Sequence, residues 1–443
     1  MLKKPKNFGP SRLALLDEHT LEVVRKSSSS MVVKIGGMVA AFAVSIILGR
    51  TIGPEGLGII NLANRIVAIV LILAMLGMNN VILKEIAIAF ERKDWQHVAN
   101  TIYTALCINI PLALGFSLLF IFLTPWLAEN IFHEPALKVP LIIALTVVVP
   151  QVLSRIFASG VNGFRKIWQS SLINDTLSVG VVAMGLVMLL LLQIEITIIN
   201  VAALYAIGRV TITLAVGSYW KHLFQFNGRR TLQTSPMLKV ALPLMVVSAT
   251  TMIASNADSI MLGWLSNARE VGFYSVAARL ALLTSFFHAI TVSTLSPKIA
   301  SLYNENKKVE LQLMVQKVTQ GLLFIGLFST VVFILGGKFI LQLWGEVFII
   351  SHWPLIILSI GQLFNIGTGA TGIILIMTGH EKIVGYITIS SAILNLILNF
   401  ILIPHYGASG AAIATASTVT IENIIKVIAV KMKTGIYTVP LLK

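Results

Sequence analysis

The 443-residue chain is 56% hydrophobic and only 12% charged, with a mean hydropathy of +0.88. A soluble protein of this composition could not cover its apolar surface, so a water-soluble domain is excluded. The formal net charge of +15 raises nucleic acid as a partner until the distribution of the basic residues is considered. The composition predicts an all-α integral membrane protein.

The first 30 residues carry Lys3, Lys4 and Lys6 but no apolar core of signal-peptide type, so no cleaved leader is predicted. Residues 8–26 fit either a short interfacial helix or a disordered tail. Beyond this tail, apolar runs recur with the length of about 20 residues that crosses a bilayer as a helix. Twelve membrane-spanning helices are predicted, over residues 31–49, 58–78, 99–124, 137–160, 170–192, 199–220, 238–263, 272–296, 314–337, 352–378, 383–403 and 408–430.

The basic residues are divided unevenly between the two sides of this predicted bundle. Of the 33 Lys and Arg residues, 26 lie in, or within six residues of, the N-terminal tail, the connections after even-numbered helices or the C-terminal end, and four lie in or beside the other connections. The remaining three, Arg65, Arg209 and Arg279, lie deeper inside predicted helices. Because basic residues accumulate on the cytoplasmic side, the pattern predicts a multi-pass protein of the cell (inner or plasma) membrane with both termini in the cytoplasm. The positive charge then requires no nucleic acid.

A repeat runs through the chain at an offset of 214 residues. The stretch LGRTIGPEGLGIINLANRI aligns with LGWLSNAREVGFYSVAARL, which matches Gly58 to Gly272 and Arg65 to Arg279. Six helices in each copy give both copies the same orientation, so two parallel six-helix repeats around a central cavity are predicted. The predicted segments are a cytoplasmic tail (1–30), an N-terminal lobe (31–220), a cytoplasmic linker (221–237), a C-terminal lobe (238–431) and a second tail (432–443).

The segment NADSIMLGWLSNAREVGFYSVAARLA, its counterpart LGRTIGPEGLGIINLA and the twelve-helix plan carry a family resemblance. They resemble the polysaccharide transporter branch of the multidrug/oligosaccharidyl-lipid/polysaccharide exporter superfamily, the Wzx-type flippases of O-antigen and similar glycans. The resemblance covers nearly the whole chain from about residue 31. It implies a MATE-like fold that moves polyprenyl-diphosphate-linked oligosaccharide from the inner to the outer leaflet by alternating access.

The three arginines inside predicted helices are the candidate substrate-binding residues. A charge at such depth costs at least a few kcal/mol and is retained mainly for a partner or a transport path. Planar guanidinium groups offer paired donors to a diphosphate. Arg65, Arg209 and Arg279, with Asn64 as a further polar group, are therefore predicted to bind the anionic headgroup of a lipid-linked oligosaccharide. For Arg209, a bond to helix carbonyls is the alternative.

Two acids inside predicted helices, Asp258 and Glu422, are candidates for coupling a proton or sodium ion. Asp258 lies at nearly the depth of Arg279, so a structural ion pair between them is the alternative. Glu422 and Lys426 are four residues apart in the favourable order and are predicted to form an ion pair of their own.

Little in the sequence indicates an enzyme. The single cysteine, Cys107, excludes an intrachain disulfide and lies in an apolar helix without a metal or nucleophile signature. The predicted outer loops, of about sixteen residues or fewer, are too short for the catalytic loop of a glycan polymerase or glycosyltransferase. No GxxxxGK[ST] loop occurs. We therefore expect no catalytic residue, no metal and no cofactor.

A cation-coupled multidrug antiporter of the same superfamily is the main alternative function. Such a protein needs acids in its membrane-embedded cavity. In the first six helices only Asp175 and the peripheral Glu85 are present, against Arg65 and Arg209. This balance favours an anionic substrate.

Overall fold

The computed structural model describes the backbone of residues 10–439 and the side chains of residues 33–439 other than 167, 174, 175, 247, 251, 254 and 293. Within those bounds the chain is helical and contains no β-strand, which confirms the predicted fold class. The ends of the two predicted tails, 1–9 and 440–443, lie outside the described residues, as does the side chain of Asp175.

The helices fall into two groups separated by the non-helical residues 224–233. We call α1 to α8 the N-terminal lobe and α9 to α14 the C-terminal lobe. The helices are α1 (Pro10–Met75), α2 (Met78–Arg92), α3 (Trp95–Trp126), α4 (Lys138–Thr146), α5 (Val148–Gly163), α6 (Ile167–Ser171), α7 (Leu177–Leu191), α8 (Ile198–Leu223), α9 (Thr234–Leu265), α10 (Ala268–Asn304), α11 (Lys308–Leu341), α12 (His352–Gly367), α13 (Thr371–Met377) and α14 (Glu381–Thr434).

Seven of the described helices are long and apolar enough to cross a membrane, and up to nine spans result when two bent helix pairs are counted as single spans. The protein is therefore a multi-pass membrane protein. Two of the seven spans have 43 and 54 residues, in α1 and α14, and each is long enough to cross a hydrocarbon core of about 30 Å twice. The nine spans become twelve crossings when α1 and α14 are each counted as two and the shorter apolar helix α7 is added. The number of crossings stays a prediction.

Both long helices are broken at a glycine. Gly53 has φ 67° and ψ −174°, and Gly407 has φ 53° and ψ −129°. Residues with a side chain rarely adopt such positive φ values, whereas glycine does so readily. Pro54 follows the first break directly and cannot donate a hydrogen bond back across it. Each long helix therefore consists of two arms, residues 10–52 and 54–75 in α1 and residues 381–406 and 408–434 in α14.

The second arm of α1 crosses α10 through a pair of glycines that the repeat relates. A methyl group on Gly58 would lie 1.7 Å from the carbonyl oxygen of Ala268, and a methyl group on Gly272 would lie 1.9 Å from that of Pro54. Ala268 and Pro54 are themselves 214 residues apart, so the contact is reciprocal. Because both obstructing atoms belong to the backbone, no side-chain rotation relieves the overlap. The close crossing of the two lobes depends on glycine at both positions.

The end of the bundle at Gly53 and at the start of α10 is called the kink side below. Here Trp344 donates its indole N–H to the hydroxyl of Ser45 at 3.0 Å. The carboxylate of Glu134 accepts a hydrogen bond from the backbone N–H of Ala268 at 2.8 Å, at the N-terminus of α10, where a negative charge is favourable. The two lobes are closed against each other on the kink side.

The opposite end, called the linker side, carries the connection between the lobes. This connection spans residues 224–233, shorter than the predicted 221–237, because α8 and α9 both extend into it. Gln96 in α3 donates to the carbonyl of Arg229 at 2.6 Å, and Asn100 accepts from the backbone N–H of Thr231 at 2.8 Å. The linker therefore packs on the N-terminal lobe.

Candidate functional site

Arg65, Arg209 and Arg279, which we call the arginine tier, lie at one level of the bundle. Arg209 follows Ile198, the start of α8, by eleven residues, and Arg279 follows Ala268, the start of α10, by the same number. The repeat places Arg65 at the position that matches Arg279. At 1.5 Å per residue, eleven residues correspond to about 17 Å from the kink-side start of each helix, near the middle of a 30 Å hydrocarbon core.

Arg65 and Arg279 reach across the lobe interface in opposite directions. Arg65, in α1, donates to the side-chain oxygen of Asn256 in α9. Arg279, in α10, donates to the backbone carbonyl of Ala41 in the first arm of α1 at 2.9 Å. The repeat maps Asn256 onto position 42, next to Ala41, so the same pseudo-symmetry relates both contacts. Each arginine ties its own lobe to the first helix of the other lobe.

Asp258 does not pair with Arg279 within the described residues, so that alternative is wrong. The carboxylate accepts three hydrogen bonds from neutral donors of its own lobe, the Tyr274 hydroxyl at 2.5 Å, the Thr415 hydroxyl at 2.6 Å and the Asn399 amide at 2.7 Å. Asp258 is only 7% exposed, so these donors replace the water that a carboxylate would otherwise bind. The two charges share a depth, but Arg279 points away across the interface.

Arg209 points into the interior of the N-terminal lobe. It donates to the side-chain oxygen of Gln151 in α5 at 2.5 Å and to that of Asn64 in α1 at 3.5 Å. These three side chains and Tyr205 line a narrow cavity between α1, α4, α5 and α8. The partners of Arg209 are therefore amide side chains, rather than the helix carbonyls of the alternative.

Arg155 lies near the end of the predicted helix 137–160 and was counted with the linker-side basic residues, so the prediction missed it as an interior charge. It lies within α5, eight residues before the helix ends at Gly163 and one helical turn after Gln151. Its side chain is half-buried, and its charge is close enough to act electrostatically on Arg209. The spacing of four residues between Gln151 and Arg155 was the signal that could have placed both on the face of α5 that meets α8.

Glu422 and Lys426 form the predicted ion pair, which is confirmed. The ammonium nitrogen lies 2.6 Å from a carboxylate oxygen, and both side chains are largely buried. Glu422 also accepts a hydrogen bond from Thr388 at 3.1 Å. The charge of Glu422 is thus neutralised within α14.

Among the described side chains, no member of the arginine tier forms an ion pair with a carboxylate. The same part of the chain holds no group of three or more His, Cys, Asp or Glu residues placed to bind a metal ion. The acceptors of the tier are amide and carbonyl oxygens, which satisfy N–H donors without cancelling charge. The tier therefore keeps its positive charge inside the bundle.

The chain is similar to proteins of glycan export and biosynthesis. It matches the family described as "Polysaccharide biosynthesis protein" over residues 23–303 and the MatE family over residues 243–401. The capsular polysaccharide biosynthesis protein CapF of Staphylococcus aureus is 28% identical over 191 residues, which are 43% of this chain and 47% of CapF. The probable low-salt glycan biosynthesis flippase Agl15 of Haloferax volcanii is 28% identical over 174 residues, 38% of this chain and 36% of Agl15. The chain thus spans less than half the length of these curated relatives.

A solved structure of the lipid II flippase MurJ, in an inward closed conformation, superposes with a TM-score of 0.72 at 17% identity. The match covers 92% of this chain and 87% of that one, so nearly the whole bundle shares that fold. The polysaccharide biosynthesis match extends over more than half of the chain. The predicted membership of the exporter superfamily is confirmed, and the chain belongs to the polysaccharide biosynthesis protein family.

Proposed function

We propose that the protein moves polyprenyl-diphosphate-linked oligosaccharide from the inner to the outer leaflet. The arginine tier is the observation that carries this proposal, because three guanidinium groups near mid-membrane have only neutral acceptors among the described residues. Such cations favour an anionic ligand, and a diphosphate offers several oxygens to paired N–H donors. Two relatives named for capsular polysaccharide and glycan biosynthesis agree with this substrate class. A transporter of this kind needs no catalytic residue.

Alternating access is the mechanism that the interface contacts support best. The lobes are closed on the kink side, so the headgroup enters from the linker side while the lipid tail stays in the bilayer through a gap between the lobes. A diphosphate bound at Arg65 and Arg279 competes with their acceptors, Asn256 and the Ala41 carbonyl, for the same N–H donors. Binding then removes two contacts that hold the lobes together. The kink side can open, and the glycan is exposed to the outside.

The linker side is proposed to face the cytoplasm of a cell membrane, as the positive-inside rule requires. Because Arg155 lies within α5, it is no longer counted with the linker-side basic residues. The linker side then carries 25 basic residues rather than 26, and the kink side carries four. Reporter fusions within residues 225–230 are expected to read cytoplasmic, and fusions beside Lys138 and Arg269 to read external. An external signal from the linker would reverse the direction of transport proposed here.

Asp258 is the stronger of the two candidates for coupling transport to a proton or sodium ion. All three of its partners are neutral, whereas Glu422 is already neutralised by Lys426. The hydroxyl groups of Tyr274 and Thr415 can rotate to accept as well as donate, so they can serve a carboxylate or a cation.

A cation-coupled drug antiporter is the second candidate function. The MatE match over residues 243–401 favours it, because Asp258 is a buried carboxylate within that region. The arginine tier opposes it, since three cations near mid-membrane repel a cationic drug.

A strain that lacks the protein separates the two functions. We expect it to accumulate lipid-linked glycan on the inner leaflet, measured as glycan that enzymes added outside cannot reach until the membrane is opened. Its resistance to cationic drugs should stay unchanged. Normal export of glycan together with drug sensitivity would instead support the antiporter.

A further inference from the structure

A cavity of about 540 Å³ lies beside the end of α14, away from the arginine tier and from Asp258. Its walls come from the last turns of α14 and from the segment that follows this helix, residues 436–439. The volume lies within the range of about 300–1,000 Å³ that is typical of small-molecule sites. No step of the proposed transport cycle uses this cavity.

The cavity lies at the level of lipid headgroups on the linker side. The second arm of α14 starts at Ala408 on the kink side, where the backbone N–H of Ala408 donates to Glu270 at 2.7 Å. At 1.5 Å per residue, the helix from Ala408 to Ile428 covers the about 30 Å of a hydrocarbon core. Ile428, which is 51% exposed, therefore borders the hydrocarbon, whereas Lys431 and residues 436–439 lie beyond it.

The wall opposite α14 is held in place by α11. Ile436 is buried in one apolar cluster with Leu311 and Val315. The backbone N–H of the next residue, Tyr437, donates to the side-chain oxygen of Gln312 at 3.2 Å. Two adjacent residues thus tie this segment to the C-terminal lobe, so the cleft between the segment and α14 is part of the fold.

The lining combines apolar side chains with two polar groups that lack an acceptor. Lys431 is exposed and forms no ion pair among the described side chains, and its ammonium nitrogen lies 4.9 Å from the centre of the Tyr437 ring. Thr438 is only 1% exposed, and its buried hydroxyl group has no hydrogen-bond partner within the described part of the chain, which is unfavourable. A ligand that satisfies both groups carries an anionic oxygen. The neighbouring Val427 and Ile428 suit a hydrocarbon chain on the same ligand.

We propose that this cavity binds an anionic phospholipid of the linker-side leaflet. The phosphate accepts a hydrogen bond from Thr438 and faces Lys431, and an acyl chain lies along the apolar wall toward the hydrocarbon. A lysine at headgroup level attracts anionic lipids, whereas a zwitterionic lipid brings a cation of its own to Lys431. The site does not depend on which substrate the two lobes transport.

Native mass spectrometry of the delipidated full-length protein tests the site. Phosphatidylglycerol and phosphatidylcholine with identical acyl chains are added in turn, and the affinity for the first bound lipid is measured. We expect Lys431→Gln to bind phosphatidylglycerol about fivefold more weakly than the wild type, the contribution of one lysine near a membrane surface, and to bind phosphatidylcholine equally well. The matched control is Lys433→Gln, because Lys433 is also exposed at the end of α14 but does not line the cavity.

Thr438→Val tests the interior of the cavity, because valine has nearly the shape of threonine but lacks the hydroxyl group. We expect about tenfold weaker binding of phosphatidylglycerol, the loss typical of a hydrogen bond to a charged group. Thermal unfolding establishes that each variant is folded. Wild-type affinity in folded Lys431→Gln or Thr438→Val overturns the site. An equal loss in Lys433→Gln also overturns it, since the basic surface would then attract anionic lipid without a specific site.

The same measurement separates two other occupants of the cavity. A chain that ends at Val439 lacks residues 440–443, which directly follow the cavity wall. If only this shortened chain binds phosphatidylglycerol through Lys431, the chain's own end fills the cavity in the wild type, against the proposal. A dimer that is lost in Lys431→Gln would assign the cavity to a second copy. Equal binding of phosphatidylglycerol by the full-length and shortened chains, both monomeric, supports the lipid site.

Discussion

Arg65→Ala is expected to reduce transport by about 100-fold while the protein remains folded and abundant, because hydrogen bonds to a charged group contribute about 1.5–3 kcal/mol. The variant loses the donors proposed for the diphosphate, and the buried Asp258 carboxylate, whose charge acts on Arg65, keeps its own three neutral donors. Arg65→Lys should recover only part of the activity, because an ammonium group cannot hold two phosphate oxygens as a guanidinium does. Glycan export in a strain that lacks the wild-type protein, normalised to protein abundance, measures both effects.

Asn256→Ala is the control that separates binding from a structural role. It removes the acceptor of Arg65 across the lobe interface but keeps the guanidinium itself. If Arg65 serves the substrate, Asn256→Ala stays active. A loss as large as that of Arg65→Ala would show that Arg65 acts by holding the lobes together.

Arg279→Ala should behave like Arg65→Ala. The ion pair with Asp258 would have made Arg279 a structural residue, but its acceptor is the Ala41 carbonyl. Adding Asp258→Ala to Arg279→Ala is therefore not expected to restore protein abundance. A clear restoration would show that the two charges do interact in the membrane.

The fold class and the tier were accessible from the sequence because each depends on distance along a helix. Apolar runs indicate membrane crossings, and the 214-residue offset pairs Arg65 with Arg279. The same offset places Gly58 opposite Gly272, where the structure has a reciprocal crossing. The order of the helices and the depth of a residue along its helix depend only on position in the chain, so both can be predicted from the sequence.

The partners of these residues were not accessible in the same way. Depth fixes where Asp258 and Arg279 lie along the membrane normal, but the rotation of α9 and α10 decides which side chains meet. Asp258 meets hydroxyl and amide groups from α10 and α14, and one of them is 157 residues away. Arg155 was missed for a different reason, because it lies inside the predicted helix 137–160 but only five residues from its end, and it was counted with the basic residues of the adjoining loop.

Asp258→Asn is expected to abolish the dependence of transport on a cation gradient and to destabilise the protein. The carboxylate accepts three hydrogen bonds, from Tyr274, Thr415 and Asn399, and in an asparagine variant these bonds lose their charged acceptor. Hydrogen bonds to a charged group contribute about 1.5–3 kcal/mol each, against about 0.5–1.5 kcal/mol for neutral ones, so a loss of about 2–4 kcal/mol in stability is expected, seen as a lower temperature of thermal unfolding. Glu422→Gln is the control, because Glu422 is also a largely buried acid of the C-terminal lobe but is neutralised by Lys426.

For Asp258→Asn and its control Glu422→Gln, protein stability and coupling to a cation gradient are measured separately. Transport into proteoliposomes is measured with a sodium gradient, with a proton gradient and with neither, each rate being normalised to the folded protein recovered. If Asp258 binds the coupling ion, wild type and Glu422→Gln respond to one of the gradients, and Asp258→Asn transports at the rate seen without any gradient. If folded Asp258→Asn still responds in full to a gradient, Asp258 has only a structural role as a hydrogen-bond acceptor. Its three neutral donors would then be present because a buried carboxylate needs hydrogen bonds in place of water. The driving force would then have to come from the substrate itself, through the contacts that Arg65 and Arg279 release when a diphosphate binds.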